Sequence, residues 1–228
     1  MAFGYILDLM SINYGLAGIF ANPGFGKTTL MMQIIDEINK RKEGTAIIMS
    51  NEAFKREHWM DQMKRRNLST ERIFIDDTPL ISHKNIYNHL ITFCNIKKEK
   101  ISIVCVDSLE LLDPESIREL RKIATKFKVL ILVNGMLGRD SGDYAPDLRP
   151  EMYSISVFRR QIHGNGNQAL EYDFLALLHR KHKCERNIGV AHRYDIQNET
   201  ELIIKRSWDW NLGSLFLKWD DDSYKFSF

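Results

Sequence analysis

Three cysteines in 228 residues, Cys94, Cys105 and Cys184, are odd in number and lack the spacing of a disulfide framework. They fit a reducing compartment, with Cys105 expected inside a strand of the core. No window approaches the roughly 18 apolar residues of a membrane span, and no basic segment at the N-terminus leads into a long apolar stretch. A cytoplasmic protein without a membrane partner is the expectation. Excess charge of one sign is missing too: 32 Lys and Arg stand against 30 Asp and Glu. A nucleic-acid partner is therefore permitted, but only local basic clusters can argue for it. Internal repeats and low-complexity segments are also lacking. What is left is a chain long enough for one α/β domain with a full core, so residues 1–228 are expected to form a single domain.

The densest signal is Ala21-Asn22-Pro23-Gly24-Phe25-Gly26-Lys27-Thr28-Thr29. An apolar run from Leu16 to Phe20 precedes it and helical residues follow, giving the strand, turn and helix of a phosphate-binding loop. Such a loop turns successive backbone N–H groups around phosphates. Gly24 and Gly26 let the backbone approach without a Cβ, Lys27 supplies charge for the β/γ-phosphates, and Thr28 supplies a hydroxyl for Mg²⁺. Ala21 stands where the pattern usually has its first Gly. The helix opening at Lys27 adds the positive end of its dipole to the same place. ATP and Mg²⁺ are the expected cofactors.

Leu30, Met31, Ile34, Ile35 and Ile38 recur at helical spacing. Thr45–Ser50 reads as a strand buried on both faces, ending at Ser50-Asn51-Glu52. A charged helix over Phe54–Asn67 follows, then a strand from Arg72 that closes in a turn at Asp76-Asp77-Thr78-Pro79. A helix over Ile86–Ile96, a strand over Ile101–Val106 ending at Asp107-Ser108, a helix over Ser116–Phe127 and a strand over Val129–Val133 ending at Asn134-Gly135 come next. This alternation predicts an α/β fold: a mostly parallel central sheet, helices on both faces, and ligands at the carboxyl ends of the strands. Residues 1–14 read as an N-terminal arm or short helix, and 139–168 as a long loop region of functional length. From Tyr172 on, strands at Phe174–His179, Gly189–Tyr194, Leu202–Arg206, Ser214–Trp219 and Tyr224–Phe228 are expected to add antiparallel hairpins at the C-terminal edge.

Phosphoryl transfer needs a phosphate cradle, a metal, a group to orient or deprotonate water, and positive charge at the transition state. Lys27 and Thr28 belong to the cradle, and Asp107 suits an outer-sphere Mg²⁺ ligand, which makes Thr28 and Asp107 the metal-binding pair. Glu52 is the candidate base; the other reading is a carboxylate that favours a helix N-terminus. Asn134 is either a γ-phosphate sensor or a turn residue before Gly135. Arg139, Arg149, Arg159 and Arg160 in the long loop region, with Arg180, Lys181 and Lys183 beyond it, are candidates for single-stranded DNA; a solvated basic loop is the alternative. His179, His182, Cys184 and His192 match no common zinc spacing. Trp208 and Trp210 read as hairpin packing.

The succession of Ala21 to Thr29, Ser50-Asn51-Glu52, Phe74-Ile75-Asp76-Asp77-Thr78-Pro79 and Val104 to Leu111 resembles the motor domain of DnaB-type replicative helicases, within the RecA-like P-loop ATPases. The Ile-Asp-Asp-Thr-Pro segment is its most telling piece, and the likeness runs from about Gly15 to the C-terminus, through Asp173–Arg180 and Glu201–Arg206. It implies a RecA-like fold, ATP hydrolysis, DNA unwinding in replication, a homo-oligomeric ring such as a hexamer, and contacts with replication proteins. It also implies that Arg206, or in its place Lys205, reaches a neighbouring subunit's γ-phosphate. The sequence departs from the family in three places. It starts almost at the motor, without the usual primase-binding domain; it has Asn134-Gly135 where those helicases carry a Gln after the fourth core strand; and Lys205-Arg206-Ser207-Trp208 replaces a Lys-x-Arg pair. Two other expectations therefore stay open: a recombination or regulatory ATPase that does not unwind, and a nucleotide-binding accessory or loader of a helicase.

Overall fold

The strand ahead of the glycine-containing loop, β1 (Gly15–Ala21), is buried at every residue. The computed structural model describes residues 6, 14–41, 44–50, 56–78, 81–108, 112, 114–136, 171–180, 199–205 and 213–227. After β1 come α1 (Lys27–Arg41), β2 (Thr45–Ser50), α2 (Arg56–Arg65), β3 (Ile73–Asp76), α3 (His83–Leu90), β4 (Ile101–Asp107), α4 (Pro114–Phe127) and β5 (Leu130–Met136). Then follow β6 (Phe174–His179), β7 (Glu199–Lys205), β8 (Gly213–Asp220) and β9 (Lys225–Ser227). The expected strand over Gly189–Tyr194 lies outside the described residues.

The described strands form one nine-stranded sheet in the order β3-β2-β4-β5-β1-β6-β7-β8-β9. Neighbours from β3 to β6 run parallel, and β7, β8 and β9 are antiparallel additions. Because β6 lies parallel to β1, the antiparallel edge begins one strand later than the strand-rich tail suggested. Continuous apolar runs make the inner strands bury both faces, and each face takes its own helices. Ile19, Ile48, Cys105 and Leu132 pack with Leu30, Ile34 and Ile38 of α1 and with Trp59 and Met63 of α2. On the other face Phe20, Ile47, Val104 and Ile131 pack with Ile86, Leu90, Leu120 and Ala124 of α3 and α4. Ile6 is buried with the α1 side of this core. No helix among the described residues is long and apolar enough to cross a membrane.

Two elements differ from expectation. The helix read over Ile86–Ile96 is α for His83–Leu90 and becomes a π turn over Ile91–Ile96. Phe93 stays buried against Phe74, with ring centroids 5.0 Å apart, while Ile96 is left exposed. β5 does not stop at Val133 but continues through Asn134 and Gly135 to Met136, because β1 pairs with it all the way to Ala21.

Asp173, just before β6, sets that strand beside β1. Its Oδ2 accepts the Leu16 N–H at 3.0 Å, its own N–H donates to the Leu16 carbonyl at 2.8 Å, and its Oδ1 accepts from Arg121 of α4 at 2.9 Å. Asp173→Ala leaves the Leu16 N–H without this acceptor and takes the nearer carboxylate from Arg121. We expect a loss of about 1–3 kcal/mol in urea unfolding. A midpoint equal to the parent's would mean that apolar packing alone docks β6.

Candidate functional site

The loop leaves β1 at the carboxyl end of the parallel strands. Phe25 N–H donates to the Asn22 carbonyl at 3.3 Å, and Leu30 N–H to the Gly26 carbonyl at 2.9 Å, which closes the first turn of α1. Gly24 and Gly26 have φ of 74° and 95°, backbone that L side chains rarely adopt, so the turn requires them. The Lys27 ammonium folds back and donates to the carbonyls of Ala21 at 3.1 Å and Asn22 at 3.3 Å. Pro23 and Gly24 are exposed, Phe25 is buried, and Thr29 is buried one residue past Thr28.

Beneath the loop lies a polar row. Thr28 Oγ1 donates to Asp107 Oδ2 at 2.8 Å, and Asn134 Nδ2 donates to Asp107 Oδ1 at 3.0 Å. Asp107 ends β4 and is 3% exposed; Asn134 is fully buried. Register explains the meeting: Val106 pairs with Val133 and Ile19 with Asn134, so the ends of β4, β5 and β1 sit side by side with α1 crossing over them. Ser50, opposite Asp107 on β2, extends the row, and it was not singled out from the sequence. The hydroxyl of Ser50 and Oδ1 of Asn134 are buried with no hydrogen-bond partner among the described residues. Burial, and the Asp107 carboxylate beyond it, push the Cys105 thiol well above its usual range. Cys105 is thus a core residue, as expected, and not a nucleophile.

No family model matches this chain, and no curated protein matches its sequence. Solved structures do match it. The chain is similar to the solved ATPase domain of a DnaB-like helicase, at a TM-score of 0.76 and 17% identity, over 97% of this chain and 88% of that one. It is similar to a DnaB-like replicative helicase described with its interactions with primase, at 0.70 and 19% identity, over 93% of this chain and 57% of that one. It is also similar to the RadB recombinase, at 0.56 and 13% identity, over 94% and 91%. The fold is that of a RecA-like ATPase domain.

In this RecA-like domain, Asn134 is not the turn residue of one sequence reading but an inner-strand residue bound to Asp107. Gly135, where the resemblance expects Gln, has no room for a side chain: a Cβ there would lie 2.4 and 2.7 Å from the Phe20 ring of β1. Phe20 is itself fixed edge-on against Tyr172, with centroids 5.7 Å apart. The Asp76-Asp77-Thr78 segment has a local role. Asp76 Oδ1 accepts the Thr78 N–H at 2.9 Å and the Thr78 hydroxyl, and Oδ2 lies 2.5 Å from His89 Nε2, tying the end of β3 to α3. Burial pushes the Asp76 carboxyl up, but the bonds from Thr78 and His89 outweigh it and hold the group below the usual carboxylate range.

Arg180 does not line an open basic groove. It is 5% exposed, with its guanidinium 4.7 Å over the Trp219 ring of β8. Glu52, Arg139, Arg149, Arg159, Arg160 and Arg206 lie outside the described residues, as do Lys181, Lys183, His182, Cys184, His192, Trp208 and Trp210. A cavity of about 420 Å³ between α3 and α4 is on the opposite face from α1. Its charges are met from within: Lys122 donates to Glu119 at 2.6 Å and Lys126 to the Tyr87 hydroxyl at 2.6 Å.

The crowding at Gly135 is testable. Gly135→Ala should lower the melting temperature by overpacking the Phe20 ring, at a cost of about 1–3 kcal/mol. Adding Phe20→Leu should recover part of that loss. Equal melting temperatures for parent and Gly135→Ala would show that the ring yields without cost.

Proposed function

We propose that this chain is an ATP-hydrolysing motor domain of the DnaB-like kind, acting on single-stranded DNA in replication. The observation that carries this reading is the buried Thr28–Asp107–Asn134 row beneath a loop that holds Lys27 at its turn. These residues fit a triphosphate and its metal. A buried carboxylate beside a Thr hydroxyl is a hard-oxygen set suited to Mg²⁺, and the unpartnered Asn134 Oδ1 is a buried acceptor that a ligand's ordered water would satisfy.

Residues Ala21, Asn22, Pro23, Gly24, Phe25, Gly26, Lys27, Thr28 and Thr29 wrap the phosphates, and Lys27 exchanges its loop carbonyls for β/γ-phosphate oxygens. Thr28 and Asp107 hold Mg²⁺, which when bound neutralises charge on those oxygens. Asn134 keeps the Asp107 carboxylate turned toward Thr28. Glu52, two residues beyond β2, accepts the proton of the attacking water as the γ-phosphorus bond to the bridging oxygen breaks and ADP and phosphate separate. Arg206 of a neighbouring copy in a homo-oligomeric ring adds positive charge at the γ-phosphate. Arg139, Arg149, Arg159 and Arg160 contact DNA phosphates. We read residues 1–228 as one such domain, working in the cytoplasm with replication proteins. Likeness to the DnaB-like helicase supports this, although the chain spans 57% of that protein's length.

The missing side chain at Gly135 favours a second reading, an ATPase of the recombination, regulatory or loader type that does not unwind DNA. Lys27→Ala should abolish ATP hydrolysis in a folded protein; hydrolysis at the parental rate would overturn the site. Glu52→Gln should keep nucleotide binding and slow turnover by about 10² or more.

A forked DNA substrate separates the two readings. The helicase reading expects ATP-dependent strand displacement, together with salt-sensitive binding whose slope flattens when Arg159 and Arg160 are both replaced by Ala. DNA-stimulated turnover with no displacement moves the chain to the second reading.

A further inference from the structure

The C-terminal hairpin reaches the phosphate-binding loop. β8 runs parallel to β1 through two antiparallel steps after β6, so its last residues, and the turn into β9, lie at the loop's end of the sheet. There Gly26 meets two aromatic rings. A Cβ on Gly26 would lie 2.8 and 3.1 Å from Cζ and Cε2 of Phe226 and 3.6 Å from Cζ3 of Trp219. The rings pack edge to face with centroids 4.9 Å apart, and Arg180 covers the Trp219 ring.

Phe226 is 2% exposed and is seated by a side chain from the helix that the loop opens. Gln33 of α1 donates from Nε2 to the Phe226 carbonyl at 2.9 Å, and its Oε1 accepts the Phe226 N–H at 2.9 Å. Its amide thus pairs with the Phe226 backbone as an added strand would. A second tie joins Arg66, at the end of α2, to the Tyr224 carbonyl at 3.0 Å. The ring is therefore held from behind and pressed against the one loop residue whose φ of 95° sets the direction of Lys27 and Thr28.

We propose that Phe226, seated by Gln33, is a positioning residue of the nucleotide site: it holds the Gly26 turn in its phosphate-binding form before a ligand arrives. This rests on the nucleotide-binding reading above. Without the ring, Gly26 regains the freedom of a glycine, and binding must re-order the loop, which weakens affinity. Misplacement of the loop by about 1 Å is enough to slow turnover on the order of 10²-fold.

The test uses the full chain with a fluorescent ATP analogue, ATP turnover and thermal melting. Phe226→Ala is expected to weaken binding about tenfold or more and to slow turnover. Phe226→Leu, which keeps apolar bulk, should recover most of both, and Gln33→Met, which touches no loop residue, should resemble Phe226→Ala. Leu217→Ala, at a fully buried position of the same hairpin, serves as the control: it should lower melting and leave affinity near the parent's. The proposal is overturned if folded Phe226→Ala binds and turns over as the parent does, or if Leu217→Ala loses as much affinity. Should Phe226→Ala fail to fold, Phe226→Leu and Gln33→Met decide by the same measures: both at parental affinity overturns the idea, and graded losses support it. A parent that binds no nucleotide overturns the functional reading itself and this proposal with it, a result distinct from the variants' behaviour.

Discussion

A carboxylate at 3% exposure is tolerated only if its oxygens are met, since an unpaired buried charge costs several kcal/mol. Asp107 meets that condition with donors from two elements, the Thr28 hydroxyl at the start of α1 and the Asn134 amide inside β5. Much of the described architecture serves this contact. β5 must lie between β4 and β1, α1 must begin close enough to set Thr28 over Asp107, and the turn between β1 and α1 must be tight enough to bring it there. The glycines at 24 and 26 make that last step feasible.

The same geometry separates the two faces of the sheet by task. The α1 and α2 side carries the loop, the polar row and the C-terminal hairpin, while the α3 and α4 side is an apolar layer with its surface charges paired locally. Chemistry is confined to one rim because parallel strands bring all their carboxyl ends, and the N-termini of the helices that follow, to that rim.

Elements with a strong local signature were legible before the structure. β2 and β6 fall on the predicted residues, because an apolar run bounded by polar residues needs no distant partner to be recognised. The loop and its Thr28–Asp107 pairing followed from the chemistry that phosphate binding demands. Asn134 was harder: Asn-Gly has the composition of a turn, and only pairing with β1 keeps it in a strand. Arg180 looked like a groove cation until Trp219 was found beneath it. Gln33 gave no sign at all, since its partner Phe226 is 193 residues away and the pattern around it is that of an ordinary amphipathic helix.

That glutamine has a consequence for how copies of this chain meet. β9 is the last strand of the sheet, and in an antiparallel ladder alternate residues turn both backbone groups outward. In this short strand the outward residue is Phe226, and both its N–H and its C=O are already engaged by the Gln33 amide. A stranger strand arriving at this edge finds no ladder to extend. Edge-to-edge pairing, a common route to uncontrolled aggregation, is closed at this end of the sheet by one side chain, which leaves association to side-chain surfaces, where recognition depends on shape and charge.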